Sequence, residues 1–433
     1  MPSSSVELVE RRPAESTAHR VPEPQASVSD VPDGGYGWVV LFGCAVITWW
    51  FAGLSYSWGV TQAALVKQGL STPSTLSFVG STTVACIAGL GVVNARIIRY
   101  LGARKTGVLG IGLLGLGELL SSFATRNIGA LFVTAGAVAG IGTSLCFMVV
   151  STTPSQYFQN RRGLANGIVY ASGGLGGAVC SFVIDALVSH LGLRWTFRIL
   201  GLLTLATGLP AAWLVTERTT IRTGGGFIDP SLFRDPKFIA LFLAGALGTF
   251  PLFVPPFFLP LYSASLHLSP SAGAGLVATF NFASALGRLA CGFASDRLGP
   301  INILLLALVL TALSMLAIWP VSDSFTPLIV FAIINGASNG GFFATMPTVV
   351  TSVFGAARVG VAMGMIVTGW VGGYLLGAPI AGYILAAYGG RGAESTLEEY
   401  HPAMFWAGSM AAGAAGCVSL LRFTSSKSLL AKV

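Results

Sequence analysis

From Tyr36 onward the chain is a succession of apolar runs, each longer than 20 residues and separated from the next by a short polar break. A helix rises 1.5 Å per residue, so about 20 residues cross the ~30 Å of hydrocarbon in a bilayer. A lone crossing segment in lipid must satisfy its own backbone, which predicts helix for every run. Twelve runs are present, at about 36–62, 75–98, 104–124, 128–150, 164–189, 195–215, 237–262, 270–294, 300–320, 325–350, 360–387 and 402–422. The polar stretch from Thr216 to Asp235, with its Gly224-Gly225-Gly226 run, divides them six and six. The predicted organisation is a tail over 1–35, a six-helix half over 36–215, a linker over 216–236, a second six-helix half over 237–422 and a tail over 423–433. An internal repeat supports the division. At a constant offset of 197, Gly102 matches Gly299, Arg161 matches Arg358, Ala165 matches Ala362 and Gly167 matches Gly364. Two parallel six-helix repeats suit a transporter that rocks about a site near the midplane.

Composition removes the soluble alternatives. Hydrophobic residues make up 53%, charged residues 9%, and the mean hydropathy is +0.76, against about 25% charged in a soluble domain. Glycine, at 56 residues, suggests closely packed membrane helices. The first 35 or so residues, rich in Ser, Pro, Glu and Arg, cannot bury apolar surface and are expected to be disordered, with no signal-peptide core among them. With the tails inside, the inner segments hold eighteen Lys and Arg and the outer segments five, which predicts two cytoplasmic termini. The six cysteines all lie in apolar stretches without a CxxC pair, and the four histidines are scattered, so neither a disulfide framework nor a metal site is predicted. No Asn-x-Ser/Thr acceptor occurs. The residues show no Ser/His/Asp or Cys/His grouping, carboxylate pair or phosphate loop, and no soluble domain to carry one, so an enzyme is not expected.

Chemistry inside the runs is sparse. Arg288 stands in the eighth run, where a cation costs about 2.5 to 3.5 kcal/mol on the insertion scale and needs a wet cavity or a partner. Asn281 and Ser284 share its helix face at i, i+3, i+7. A guanidinium grips a carboxylate with two parallel hydrogen bonds, which suits an organic anion. The alternatives are snorkelling, or pairing with Asp296 about 12 Å along the helix. Glu118 is the only other acid well inside a run, either a proton carrier or a hydrogen-bonded packing residue near the outer interface. Tyr56 and Trp58, Tyr170, Asn335 and Asn339, and Trp370 and Tyr374 are candidates to line a cavity, with interfacial anchoring and helix packing as the competing roles.

Several stretches carry a family likeness. Gly292-Phe-Ala-Ser-Asp296-Arg297-Leu-Gly299 resembles the loop signature that the major facilitator superfamily carries between the second and third helix of each half, where an aspartate and arginines form a charged latch. In the first-half copy, Arg99 stands where the aspartate belongs. Pro32-Asp33-Gly34-Gly35-Tyr36-Gly37-Trp38-Val39-Val40 and Tyr157-Phe158-Gln159-Asn160-Arg161-Arg162-Gly163-Leu164-Ala165-Asn166-Gly167 resemble the signatures of the monocarboxylate-porter family before its first and fifth helices. The glycine seams 173–177 and 377–382 loosely resemble a drug-antiporter motif, with Gly174 in place of its proline, and helix packing accounts for them equally. The short central loop and Pro/Ser-rich tail are most similar to fungal members, some of which export products of neighbouring biosynthetic genes.

The resemblance implies an all-α integral membrane protein of the major facilitator fold, a secondary transporter working by alternating access. The expected solute is a small organic molecule bearing a carboxylate, with Arg288, Asn281, Ser284, Tyr56, Tyr170, Asn335, Asn339 and Tyr374 as its contacts. Asp296, Arg297, Arg161, Arg162 and Arg358 are the expected inner gate. Proton-coupled relatives carry an aspartate where this chain has Ser284, and a lysine deep in the first helix where this chain has none before Lys67. Lactate-type symport is therefore not expected, and Glu118 is the remaining candidate carrier. Efflux of a fungal secondary metabolite, uptake of a nutrient monocarboxylate and a non-transporting sensor stay open as functions. The expected setting is the lipid bilayer of the plasma membrane and the expected unit a monomer, with no cofactor, metal or nucleic-acid partner.

Overall fold

The computed structural model describes residues 34–158, 162–218, 229–390 and 395–425; the side chains of residues 155, 162–164, 296, 356–360 and 425 lie outside the described set. So do most of the N-terminal tail, Arg161, and the side chains of Arg162, Asp296 and Arg358, all of them named above. Every regular element among the described residues is helical.

Among the described residues, nine helical stretches are long and apolar enough to span a bilayer by themselves. The rest of the count comes from how the helices are joined and broken. The stretch Ala165–Leu214 holds two crossings, because Gly192 breaks it with a positive φ of 76°. The second crossing runs over Pro73–Gly89, pauses at Leu90 and continues to Leu101, and the third starts one residue later, across Gly102 at φ 81°. The seventh is built from two short helices, Pro236–Gly248 and Val254–Ser265. The twelve predicted crossings are thus all present. Their ends differ from expectation chiefly where a single glycine serves as the whole connection.

Left-handed backbone is the reason for glycine at those joints, since a side chain there is strained whatever the surrounding space. Gly299 (φ 93°) and Gly389 (φ 91°) lie 197 residues after Gly102 and Gly192. The internal repeat therefore extends to the dihedral angles that turn the chain. Crossing starts are equally local. Thr72, Asp235 and Ser269 each accept a bond from a backbone N–H of the first turn and each precedes a proline at the first helical position, where the missing N–H leaves nothing unsatisfied.

With an even number of crossings, both described ends of the chain lie at one face of the bundle, called here the termini face, and the other is the far face. Several ties among the described residues at the termini face run within a half. Tyr36 and Tyr157 donate from their hydroxyls to the carbonyls of Leu214 and Thr216, at 3.0 Å each. Glu217, just beyond the sixth crossing, accepts from the Ala103 N–H at 2.6 Å and so caps the third. In the second half Arg422 donates from Nε to Asn302 at the start of the ninth crossing, at 2.5 Å.

Contacts at the far face join the two halves. Ser271 at the start of the eighth crossing donates to Asp185 of the fifth at 2.8 Å. Gly59 of the first crossing sits so close to the Pro256 carbonyl of the seventh that a Cβ there would overlap its oxygen, and Gly382 of the eleventh packs in the same manner on Ser74 of the second. The conformation is closed at the far face.

Candidate functional site

The eighth crossing, Pro270–Leu298, carries the central chemistry. Small residues clamp it from both sides. A Cβ on Gly174 of the fifth crossing would come within 2.8 Å of the Asn281 carbonyl, and one on Gly340 of the tenth would overlap the Ser284 carbonyl. Such backbone-to-backbone packing is what small residues permit in a membrane, and it fixes the rotation of the helix between the halves.

That rotation places Asn281, Ser284 and Arg288 on a buried face, 1%, 2% and 5% exposed. Arg288 does not snorkel. Its Nη1 donates to the Tyr170 carbonyl at 2.5 Å and its Nη2 to the Tyr56 hydroxyl at 2.8 Å, both in the first half. Its guanidinium carbon lies 5.4 Å from the Tyr56 ring and 5.3 Å from the Phe343 ring. Nε–H has no hydrogen-bond partner, and no carboxylate among the described residues lies within ion-pair reach. Hydrogen bonds to a charged group contribute about 1.5 to 3 kcal/mol and a desolvated cation–π contact about 2. Together these offset the burial of the charge without neutralising it.

Aromatic contacts close a ring on this arginine. Tyr56 stacks on Phe253 at 5.7 Å, Phe253 meets Tyr374 edge-on at 5.7 Å, Tyr374 meets Trp370 at 6.0 Å and Trp370 meets Phe343 at 6.5 Å. Phe343 then returns to Arg288. The circuit draws on the first, seventh, eighth, tenth and eleventh crossings, so it belongs to the interface between the halves. Its positions depend on breaks in two helices. Tyr56 ends the first helical segment before the kink at Ser57, and Phe253 lies in the non-helical turn of the seventh crossing.

The other candidates fall around this ring. Asn281 donates to the Tyr56 carbonyl at 3.5 Å, while its Oδ1 is buried and unpartnered. The Tyr170 hydroxyl pairs with Ser151 at 3.3 Å. The Asn335 amide is taken by the Ser314 hydroxyl of the ninth crossing at 2.8 Å. The Asn339 amide donates to the Leu252 carbonyl at 2.9 Å and so holds the turn that presents Phe253. Arg297 rests its guanidinium 4.3 Å from the ring of Phe293, one helical turn before it. Glu118 is 8% exposed in the third crossing.

Sequence reasoning overlooked Phe253, Phe343 and Glu217. The two phenylalanines are apolar residues in apolar runs and carry no signal of their own, although Pro251, Pro255 and Pro256 mark the broken turn beside the first. Glu217 had a usable signal, an acid directly after the sixth run and level with the loop between the second and third. No group of three His, Cys, Asp or Glu able to hold a metal occurs among the described residues.

Comparison with known proteins follows the same lines. The family model for the Major Facilitator Superfamily matches residues 38–277 and 241–431. The aspyridones efflux protein apdF of Emericella nidulans is 27% identical over 381 residues, covering 87% of this chain and 77% of its own. Monocarboxylate transporter 4 of Mus musculus is 28% identical over 377 residues, covering 82% and 78%. A crystal structure of a mutant of the nucleoside transporter NupG superposes with a TM-score of 0.73 at 14% identity, covering 88% of this chain and 99% of that one, which shows the shared fold. A twelve-crossing bundle in two repeated halves, matched by one family model across nearly its whole length, makes this chain a multi-pass membrane transporter of the Major Facilitator Superfamily.

Proposed function

We propose that the chain carries a small organic anion with an apolar or aromatic body, bound by Arg288 within the aromatic ring and moved by rocking of the halves 36–215 and 237–422 about the linker 216–236. The observation that carries this reading is the Arg288 guanidinium, buried between the halves with no carboxylate partner among the described residues and its Nε–H unbonded. A carboxylate supplies the missing counter-charge, and the ring of Tyr56, Phe253, Tyr374, Trp370 and Phe343 supplies apolar faces for the remainder of the solute. Asn281, Ser284 and Tyr170 complete the contacts, whereas Asn335 and Asn339 serve the scaffold.

The same bonds suggest how binding drives movement. Both donors that Arg288 uses reach into the first half. An anion at the guanidinium competes with the Tyr56 hydroxyl and the Tyr170 carbonyl and thereby loosens a tie between the halves. A ligand shifts a conformational equilibrium only through such differential contacts.

Efflux of a metabolite across the plasma membrane is the favoured direction, supported by the relative named as an aspyridones efflux protein. Uptake or release of a simple monocarboxylate is the second reading, supported by the relative named monocarboxylate transporter 4. The termini face is assigned to the cytoplasm from the eighteen-to-five distribution of Lys and Arg, with Asp296, Arg297, Arg161, Arg162 and Arg358 as the gate on that face and a monomer as the working unit. The test is exchange of labelled hippurate, an aromatic carboxylate, by the purified chain in liposomes. Wild type is expected to exchange it and Arg288→Ala to lose exchange while still folding as a monodisperse protein. Full exchange by Arg288→Ala overturns the site.

A further inference from the structure

Away from Arg288, a second group of cations lies at the far face of the first half. Of the five Lys and Arg in the outer segments, Arg126, Arg194 and Arg198 gather where the third crossing ends and the sixth begins. The packing of those two helices sets them together. Gly201 packs on Leu119 and Gly115 on Leu205, antiparallel pairs whose residue numbers share one total, and the bond from Arg198 Nε to the Ser122 hydroxyl at 3.4 Å keeps the same register. Four residues nearer the far face, about 6 Å by helical rise, that register brings Arg126 level with Arg194. Arg194 and Arg198 also share a helix face at i, i+4, where like charges repel.

The described part of the chain does not neutralise them. Among the described residues none of the three forms an ion pair. Arg126 and Arg194 are exposed and form no hydrogen bond there, and half-buried Arg198 forms only the one to Ser122, which leaves both of its Nη amines unbonded. The only acid in the third, fourth or sixth crossing is Glu118, a turn deeper than Ser122. Rings hold the Arg198 guanidinium instead: it lies 5.4 Å from Phe123 and 4.9 Å from Trp195, which are themselves 70% and 51% exposed. Counting 197 residues on leads to Asp323, Arg391 and Ser395, so the second half does not repeat the cluster.

The surrounding surface shows what the cluster faces. Toward the bilayer centre, exposed Leu116 and Leu120 of the third crossing and Leu202 and Leu203 of the sixth form an apolar outer wall, which in a membrane transporter borders acyl chains. Aromatic residues and cations at the end of such a wall lie at headgroup depth. The group found at that depth that neutralises guanidiniums is phosphate, whose oxygens accept paired hydrogen bonds from arginine. We propose that Arg126, Arg194 and Arg198 bind the phosphate of a phospholipid whose headgroup keeps a net negative charge, with its chains lying along the leucine wall. The site is separate from the solute site and independent of the direction of transport.

Native mass spectrometry of the purified chain, stripped of lipid and titrated with dioleoyl phosphatidylglycerol, tests the site. The wild type is expected to hold one lipid molecule more tightly than any further ones. The triple variant Arg126→Gln, Arg194→Gln, Arg198→Gln should weaken that first binding about a hundredfold. Arg126→Gln alone changes only an exposed turn residue, so the fold is kept, and it should weaken binding about fivefold. Lys67→Gln, the same loss of charge elsewhere on the far side, should leave binding unchanged. Wild-type affinity in Arg126→Gln, or an equal loss in Lys67→Gln, overturns the site. Dioleoylglycerol, with the chains and no phosphate, is expected to leave the tight position empty; binding as tight as that of the phospholipid would reduce the contact to apolar surface and sink the proposal. Inorganic phosphate should leave the melting temperature unchanged where the phospholipid raises it, and an equal rise with phosphate alone would give the cluster to a soluble anion and defeat the lipid assignment.

Discussion

Counting from the paired turns at Gly102 and Gly299, the two halves reach Glu118 and Met315 after the same sixteen residues, and both side chains are buried in the third helix of their half. Counting 197 residues back from Arg288 leads to Gly91, at the break in the second crossing. Glu118 and Arg288 are thus each matched by an uncharged residue in the other half, and one is an acid and the other a base. The ties that bind the sixth helix of each half to its second loop differ likewise, a carboxylate capping a helix in one and a guanidinium on an asparagine in the other. What the two halves share here is the path of the chain, turned at the same glycines, while their buried polar groups differ.

Experiments that erase or copy these differences sharpen the comparison. Arg288→Ala removes the charge that its counterpart position Gly91 lacks and is expected to reduce hippurate exchange about a hundredfold or more, in line with removing a charged contact worth roughly 3 kcal/mol. Met315→Glu copies the acid of the first half onto a fully buried site in the second. It should lower stability by several kcal/mol, read as a loss of monodisperse protein on gel filtration; normal yield and melting would mean that both cores tolerate an acid and that Glu118 holds no special position. Removing only the hydroxyl in Tyr56→Phe leaves the ring stack intact and should lower exchange about tenfold. The smallest effect belongs to the termini face. Glu217→Gln weakens the cap on the third crossing and should cost about 1 kcal/mol, visible as a small drop in melting temperature with exchange retained.

Much of this was legible in the chain. Apolar length alone gave the twelve crossings, because hydrocarbon thickness sets a minimum that no other class of helix needs to meet. Arg288 and Glu118 stood out because a charge in lipid requires an explanation. The partners of Arg288 were less accessible. One is a backbone carbonyl, at Tyr170, which every residue possesses, and another is the ring of Phe343, which resembles any other apolar residue in a membrane helix. Asn335 and Asn339 shared a helix face with the expected cavity, yet each amide found a nearer acceptor, one in the Ser314 hydroxyl and one in the carbonyl exposed by the broken seventh helix. Spacing records which residues share a face and says nothing about which neighbour breaks its own helix to meet them.

The single-residue turns also bear on how the protein is made. Gly102 and Gly192 leave the chain a single non-helical residue between one helix and the next. Neither arm of such a pair can cross the bilayer while the other waits in water, since there is no slack to separate them. During synthesis the second and third helices, and the fifth and sixth, must enter the lipid as finished hairpins, and a side chain that strains the turn would disturb insertion before it disturbs transport.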